Sequence, residues 1–257
     1  MLNYRNTNIV FLLGLLILLS VSYSQSIHIL IYIIIGLFYL AISFYGSAFI
    51  GSNFHIKTIC KGKEKHHEIT ITFDDGPVAE ITPKVLDILK ENDIHATFFC
   101  IGKRVGSNPE IAKRIIDEGH IIGNHTYSHS HGFDFFSSKK MTEELKKCDD
   151  VIEKVISKKP NFFRPPNGVT NPMLRRALKN FGYHVIGWSV RSFDTSIKDE
   201  KKVLKRITKK LKGGDIVLFH DSHTRIIPLL HDFLDFCNEN GFKIVGLEEM
   251  INKDAYA

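Results

Sequence analysis

The residues best suited to chemistry lie in short segments, each directly after an apolar, β-branched run. The first is Asp74-Asp75-Gly76-Pro77, which follows the run at 69–73. Aspartate and a Gly-Pro pair favour turns, so these residues could simply reverse the chain. Adjacent side chains also point in different directions, so one carboxylate could bind a metal while its neighbour acts as a base. The segment alone leaves both interpretations open.

Two histidines have the spacing of a shared metal site. His125 and His129 follow the run at 120–124 and are separated by three residues. If the chain turns helically after the run, both imidazoles can reach one ion, and otherwise they face solvent. Two histidines and one carboxylate, with open coordination positions, are typical of a catalytic Zn2+ site. His131 follows closely, and we interpret it as a bystander.

An arginine and a histidine end two later runs. Arg164 precedes Pro165-Pro166-Asn167-Gly168. On this rigid segment it could orient a carboxylate, bind an anionic substrate group or lie in a surface loop. His220 ends the run at 215–220 and could be a general acid, a core residue or an exposed one. Trp188 is the only tryptophan, and a lone tryptophan is more often core filler than a platform for a sugar ring.

Short strands that alternate with helices must position these residues. The apolar runs lie at 69–73, 96–101, 120–124, 162–163, 184–190, 215–220 and 242–247. The predicted helices begin at Thr82-Pro83, Asn108-Pro109 and Asn171-Pro172, or cover 137–157, 199–212 and 226–240. This alternation predicts an α/β fold, an irregular (β/α) barrel of about seven parallel strands rather than an open doubly wound sheet. Either architecture brings chemistry to the carboxyl ends of the strands.

The N-terminal part has a different composition. Residues 6–56 contain no Asp, Glu, Lys or Arg, although these make up 24% of the chain. The stretches at about 8–23 and 27–50 are apolar, and the second is long enough to cross a bilayer as a helix. We predict a multi-pass membrane protein in which a transmembrane helical hairpin contacts the lipid bilayer. A signal peptide with a cleavage site at Ser20-Val21-Ser22 is the alternative.

Composition limits the remaining classes. The predicted segments are a membrane anchor over 1–56, a basic linker over 57–67, a catalytic domain over 68–250 and a tail over 251–257. The net charge is +6, and the chain has neither an arginine-rich stripe nor an aromatic RNA-binding motif, so we expect no nucleic-acid partner. Four cysteines without CxxC spacing are interpreted as buried free thiols. The oligomeric state is left open.

Together these segments resemble the NodB-homology polysaccharide deacetylases, carbohydrate esterase family 4. The resemblance covers about residues 67–250. Thr72–Pro77 is similar to the family's TFDDGP motif, and His125–His129 to its His-(Ser/Thr)-x-x-His motif. Arg164–Gly168 looks like the family's Arg-x-Pro segment, and Leu218–His220 like its Leu-x-His motif. Four such motifs in order, each at a predicted strand end, make the resemblance strong.

The resemblance implies an enzyme that hydrolyses the N-acetyl amide of an amino-sugar glycan, peptidoglycan or chitin-like, to a free amine and acetate. It implies that Asp75, His125 and His129 hold a divalent metal, most often Zn2+. Asp74 would be the general base, and His220 would protonate the leaving amine.

Other positions have supporting roles by the same resemblance. Arg164 would orient Asp74, and Asp194 would pair with His220. The oxyanion would be held by the metal and a backbone N–H near Asn167. The positions assigned to the substrate and oxyanion are Pro166, Asn167, Trp188 and Leu218.

This sequence departs from the family pattern in two places. Asn167 stands where the family usually has Tyr. The segment Arg191-Ser192-Phe193-Asp194-Thr195 retains only the second Asp of the family's Asp-x-x-Asp-Trp motif. Both changes bear on substrate preference. The alternative functions are deacylation of a lipid-linked sugar, O-deacetylation of a xylan-like glycan, and an inactive glycan-binding module.

The side of the membrane that the catalytic domain occupies is also open. Lys57, Lys61, Lys63 and Lys65 follow the second apolar stretch, whereas the loop between the stretches contains no Lys or Arg. The positive-inside rule therefore places the domain in the cytoplasm. A cell-wall substrate would require it outside.

Overall fold

A computed structural model of the chain describes residues 3–63 and 67–257, so Lys65 of the predicted linker lies outside the described residues. The charge-free segment forms two helices, α1 (Tyr4–Ser24) and α2 (Ile29–Ala48). The Tyr39 hydroxyl donates a hydrogen bond to Asn8 Oδ1 at 2.8 Å, and the rings of Tyr39 and Phe11 lie 4.9 Å apart. Both helices are long and apolar enough to cross a membrane, and most of their side chains are exposed.

The rest of the chain forms a curved sheet in which each strand is parallel to its neighbours. The strands are β1 (Glu68–Asp74), β2 (Thr97–Cys100), β3 (Ile121–Asn124), β4 (Phe162–Phe163), β5 (His184–Val185), β6 (Val190–Arg191), β7 (Ile216–His220) and β8 (Lys243–Ile244). Their order is β5-β4-β3-β2-β1-β7-β6, and β8 pairs with the beginning of β1. The predicted irregular (β/α) barrel is confirmed. The run at 184–190 forms two short strands rather than one, which gives eight described strands instead of seven.

Helices cover the outside of the sheet. They are α3 (Thr82–Glu91), α4 (Gly102–Ser107), α5 (Pro109–Asp117), α6 (Ser138–Ile156), α7 (Pro172–Ala177), α8 (Glu200–Thr208), α9 (Ile226–Glu239) and α10 (Leu247–Ile251). Proline occupies the first turn of α3, α5 and α7, where its missing N–H leaves no helical hydrogen bond unmade. The Asn171 side chain caps α7 and the Ser137 side chain caps α6.

Alternation along β1 separates the two faces of the sheet. Ile69, Ile71 and Phe73 belong to the large core between the sheet and the helices. The intervening residues Thr72 and Asp74 point to the barrel interior, where both bond to the Arg164 guanidinium. The sheet therefore excludes water on its outer face and concentrates polar groups at the carboxyl ends of its strands.

The segment that precedes β1 contributes to the barrel. Ile59 pairs with Ile186 beyond the end of β5, and Lys61 pairs with Asp215 just before β7. This segment, which the sequence analysis assigns to a linker, thus crosses the gap between the two ends of the sheet. The tail is also packed, because Ala255 is buried and the Tyr256 hydroxyl bonds to the Ile122 backbone N–H at 2.8 Å.

Candidate active site

Three of the predicted side chains form a cluster suited to a metal ion. One donor atom from each of Asp75, His125 and His129 lies within 4.8 Å of the others. Asp75 Oδ1 is 3.6 Å from His125 Nε2 and 3.4 Å from His129 Nε2. This Asp75 oxygen is buried and has no hydrogen-bond donor among the described residues, which is the state expected of a ligand oxygen. The two nitrogens and one oxygen fit a divalent cation such as Zn2+.

Local structure holds the two imidazoles together without a helix. Thr126 and His129 both have positive φ angles, of 65° and 47°, and the Thr126 hydroxyl accepts a hydrogen bond from the His129 backbone N–H. The spacing of the two histidines predicts a helical turn if they share one ion. The chain instead makes a turn with left-handed backbone conformations. It brings the rings of His125 and His129 to 4.9 Å.

The buried ring of His125 is prepared to bind a cation. Its Nδ1 lies 2.8 Å from the Arg164 carbonyl oxygen, so a proton on Nδ1 leaves the Nε2 lone pair directed at Asp75. Burial, followed by the proximity of His129, lowers the pKa of His125 to about 3. Neutral imidazole is the form that binds a metal.

Asp74 lies beside the metal cluster and is held by a buried arginine. Arg164 Nη1 donates to Asp74 Oδ1 at 2.7 Å, and the guanidinium is fully buried. The same guanidinium donates to the Thr72 hydroxyl and to the carbonyl oxygens of Ile186 and Gly187. Asp74 Oδ2 lies 3.8 Å from His125 Nε2. One carboxylate oxygen is therefore occupied and the other faces the cluster.

His220 lies on β7, the neighbour of β1 in the sheet, where it is the register partner of Asp74. Its Nδ1 is 2.7 Å from Asp194 Oδ1, and its backbone N–H donates to Asp194 Oδ2 at 2.8 Å. Burial alone would lower the pKa of His220, but the hydrogen bond and charge of Asp194 outweigh it and raise this pKa to about 8. The Ser192 hydroxyl also donates to Asp194, and the ring of His223 lies 3.4 Å from Asp194 Oδ2. The hydrogen bond from His220 and the nearby His223 hold the pKa of Asp194 well below its usual range despite burial.

The segment after β4 forms one side of this site. Asn167 is exposed and has a φ of 56°, and Gly168 has a φ of 71°. A Cβ on Gly168 would overlap the Trp188 indole, so this position requires glycine for space as well as for backbone conformation. Trp188 therefore lies directly beneath the loop.

The other two substrate positions are inside the wall of the barrel. Pro166 is buried and Leu218 is only 1% exposed. The structure thus brings all seven predicted catalytic and metal positions to one end of the barrel, with Asn167 and Trp188 beside them. Pro166 and Leu218 are too deeply buried to offer a substrate more than a trace of surface.

Two carboxylates near the site were not assigned from the sequence. Asp221 is fully buried, accepts a hydrogen bond from the Thr82 hydroxyl at 2.6 Å and packs against Gly76, beside Asp75. Burial raises the pKa of Asp221 to about 7. Asp134 lies near Asn167 and His129, and partial burial raises the pKa of its carboxyl group. Asp221 could have been assigned from the sequence, because it directly follows His220 at the end of a strand. Asp134 offered no such signal, because it lies in a short turn that belongs to no motif.

The combination of a (β/α) barrel with an Asp-His-His cluster, a buried carboxylate held by an arginine and an Asp-paired histidine is suited to a hydrolase that uses a divalent cation. The sequence profile of the family described as polysaccharide deacetylase matches residues 61–186. A peptidoglycan-N-acetylglucosamine deacetylase of Bacillus cereus is 35% identical over 188 residues, which are 71% of this chain and 87% of the relative. The chain belongs to the polysaccharide deacetylase family, and both the resemblance and the hydrolase class are confirmed.

Solved structures agree with this assignment. The crystal structure of a peptidoglycan N-acetylglucosamine deacetylase bound to an N-hydroxybenzamide compound superimposes with a TM-score of 0.71 and 28% identity, covering 77% of this chain and 94% of that one. A structure described as a carbohydrate esterase family 4 pseudoenzyme from Bacillus anthracis gives 0.70 and 28%, covering 76% and 68%. Because the same fold occurs in a pseudoenzyme, the residues of the site must carry the argument for activity.

Proposed function

We propose that this protein is a membrane-anchored, metal-dependent N-deacetylase of an amino-sugar glycan related to peptidoglycan. One observation carries the proposal: Asp74 lies between the fully buried Arg164 and the Asp75-His125-His129 cluster. A glycan-binding module would not need a buried, arginine-held carboxylate at a metal site. The substrates of the relatives supply the glycan class.

The residues divide the hydrolysis of the amide between them. A divalent cation held by Asp75, His125 and His129 would supply a Lewis acid that activates water and polarises the acetyl carbonyl. Asp74 Oδ2 accepts the proton of the attacking water, while Arg164 keeps Oδ1 fixed.

The amide nitrogen of the substrate must be protonated to leave, and the proton comes from the side of the site opposite Asp74. His220 donates it from Nε2, because Asp194 holds a proton on Nδ1. A backbone N–H near Asn167 would stabilise the developing oxyanion. Water and the amide thereby become acetate and a free amine.

Contacts of α1 support a membrane hairpin over a cleaved signal peptide. The Tyr4 backbone N–H donates to the Phe54 carbonyl oxygen at 3.0 Å, and the Tyr4 ring packs on His55 at 5.0 Å. Cleavage after α1 would remove these contacts and the hydrogen bond between Tyr39 and Asn8. Membrane fractionation of a chain tagged at Ala257 tests the anchor, and a reporter fused there identifies the side.

The proposed function is tested by metal content and acetate release from the full-length protein in detergent micelles. The glycan panel contains N-acetylglucosamine oligomers, peptidoglycan fragments and acetylated xylan. Asp75→Ala is expected to abolish both zinc binding and turnover, because it removes one of three protein ligands. His131→Ala is the matched control, since His131 is exposed and adjacent to the cluster in sequence only. Normal turnover by Asp75→Ala, or activity on xylan alone, would contradict the proposal.

A further inference from the structure

The end of the membrane anchor is bonded directly to the active-site loop. The Thr170 backbone N–H donates to the Ser47 carbonyl oxygen at 3.0 Å, close to the end of α2. The Thr170 side chain also reaches the Gly46 carbonyl oxygen at 3.5 Å. Thr170 is three residues after Asn167, a span of at most about 11 Å. The edge of the active site therefore lies close to the point where α2 ends.

The end of α2 also coincides with the expected limit of the hydrocarbon core. Its 20 residues span about 30 Å, which is the thickness of that core. Tyr45 and Phe49 are exposed near this end, as expected for aromatic residues at a membrane interface. The lipid headgroups extend about 5–8 Å further. The contact between Ser47 and Thr170 thus places the edge of the active site at headgroup level.

One exposed apolar side chain lies on this same edge. Phe135 is 92% exposed, and outside 9–49 it is the only large hydrophobic side chain that is exposed among the described residues. It belongs to the turn whose Asp134 carbonyl oxygen accepts a hydrogen bond from the Asn171 side chain at 2.8 Å. Asn171 is adjacent to Thr170, so Phe135 is linked to the end of α2 through two hydrogen bonds. An apolar ring so placed can enter the bilayer interface.

Five exposed cations belong to the segments that form this edge. They are Arg5, Lys57, Lys139, Lys140 and Arg175. Arg5 and Lys57 flank the contact between α1 and Phe54, and the charge of Arg175 acts on His55. Lys140 Nζ lies 3.6 Å from the centre of the Phe136 ring, next to Phe135. Positive charge on these segments is complementary to phosphate groups at a membrane surface.

We infer that the edge of the active site rests on the bilayer, with Phe135 in the interface, and that the substrate is an N-acetylated glycan joined to a membrane lipid through phosphate. The inference rests on the proposed deacetylase function and specifies its substrate. A lipid phosphate holds the first sugars of its glycan at headgroup height, where the contact between Ser47 and Thr170 holds the active-site loop.

The test compares one glycan in two forms, using the full-length protein in phosphatidylglycerol-containing vesicles. One form is a water-soluble N-acetylglucosamine oligomer, and the other is the same oligomer joined through phosphate to a lipid in those vesicles. Phe135→Ser is expected to lower kcat/KM on the tethered form by at least about tenfold, since a phenylalanine ring gains that much on leaving water. Turnover of the soluble form should be unchanged, and Phe135→Trp should retain activity on both.

The outcomes separate the two proposals. A wild type that hydrolyses neither form overturns the deacetylase function and the inference with it. A wild type that hydrolyses both forms equally well, with no loss on the tethered form in Phe135→Ser, overturns the inference and supports the deacetylase.

The depth of residue 135 in the bilayer can be measured independently of activity. Phe135→Trp contains a second tryptophan besides the native Trp188. Brominated lipids should quench the fluorescence that this second tryptophan contributes. Glu239→Trp is the matched control, because Glu239 is exposed at the end of α9, which starts after β7 and returns to the far end of the barrel. Equal quenching of both added tryptophans would also overturn the inference.

Discussion

Asp194→Asn removes the negative charge beside His220, the proposed general acid, and keeps the shape of the side chain at position 194. In the native protein Asp194 accepts from both Nδ1 and the backbone N–H of His220, at 2.7 and 2.8 Å. An amide can keep the backbone bond, but it brings either a neutral oxygen or an NH2 group to Nδ1. The protonated imidazole then loses its counter-charge, while burial continues to lower the pKa of His220.

The magnitude follows from the pKa of His220. Asp194 holds it at about 8, and without this partner it falls to the ordinary 6.5 or below. The protonated fraction at pH 7 then decreases from about 90% to about 25%, roughly fourfold. The decrease is about 16-fold at pH 8 and only about 1.3-fold at pH 6. Because His220 must be protonated to act as an acid, the deficit of the variant must grow as the pH rises.

The assay is kcat for acetate release between pH 6 and pH 8, with wild type and variant carrying the same metal. Asp199→Asn is the matched control, because Asp199 caps α8 and asparagine caps a helix equally well. It should follow the wild-type profile. A ratio of wild-type to Asp194→Asn rates that stays constant across this pH range would refute the assignment of His220 as the acid, even if the variant were slow.

Two further substitutions test the interior of the site. Arg164→Met should lower the free energy of unfolding by about 3–5 kcal/mol, because it leaves a buried carboxylate unpaired. Urea unfolding of the full-length protein in micelles measures this, and Lys202→Met, at an exposed ion pair with Asp199, should cost less than about 1 kcal/mol. Equal costs would contradict the buried pair. Gly168→Ala should cost about 1–3 kcal/mol through overlap with the Trp188 ring. It should also shift the emission of this single tryptophan, whereas Gly182→Ala, with open space around it, should do neither.

The amino-acid sequence alone determined the chemical groups and the end of the barrel at which they meet. Asp75, His125 and His129 were predictable because each follows an apolar run, and the carboxyl ends of parallel strands converge whatever the details of packing. The two N-terminal helices were predictable because the charge-free segment contains two apolar runs that are long enough to form helices and are separated by small polar residues. Both inferences depend on local composition and period, which are read directly from neighbouring residues.

Only the tertiary structure decided which groups act on one another. Arg164 and Asp74 are 90 positions apart, and their ion pair depends on the width of the barrel and on the carbonyl oxygens of Ile186 and Gly187. The buried Asp221 and the hydrogen bond between Thr170 and Ser47 are of the same kind. Such contacts arise from packing between distant segments, for which periodicity within a segment carries no information. The position of the site next to the end of α2 therefore became visible only in three dimensions.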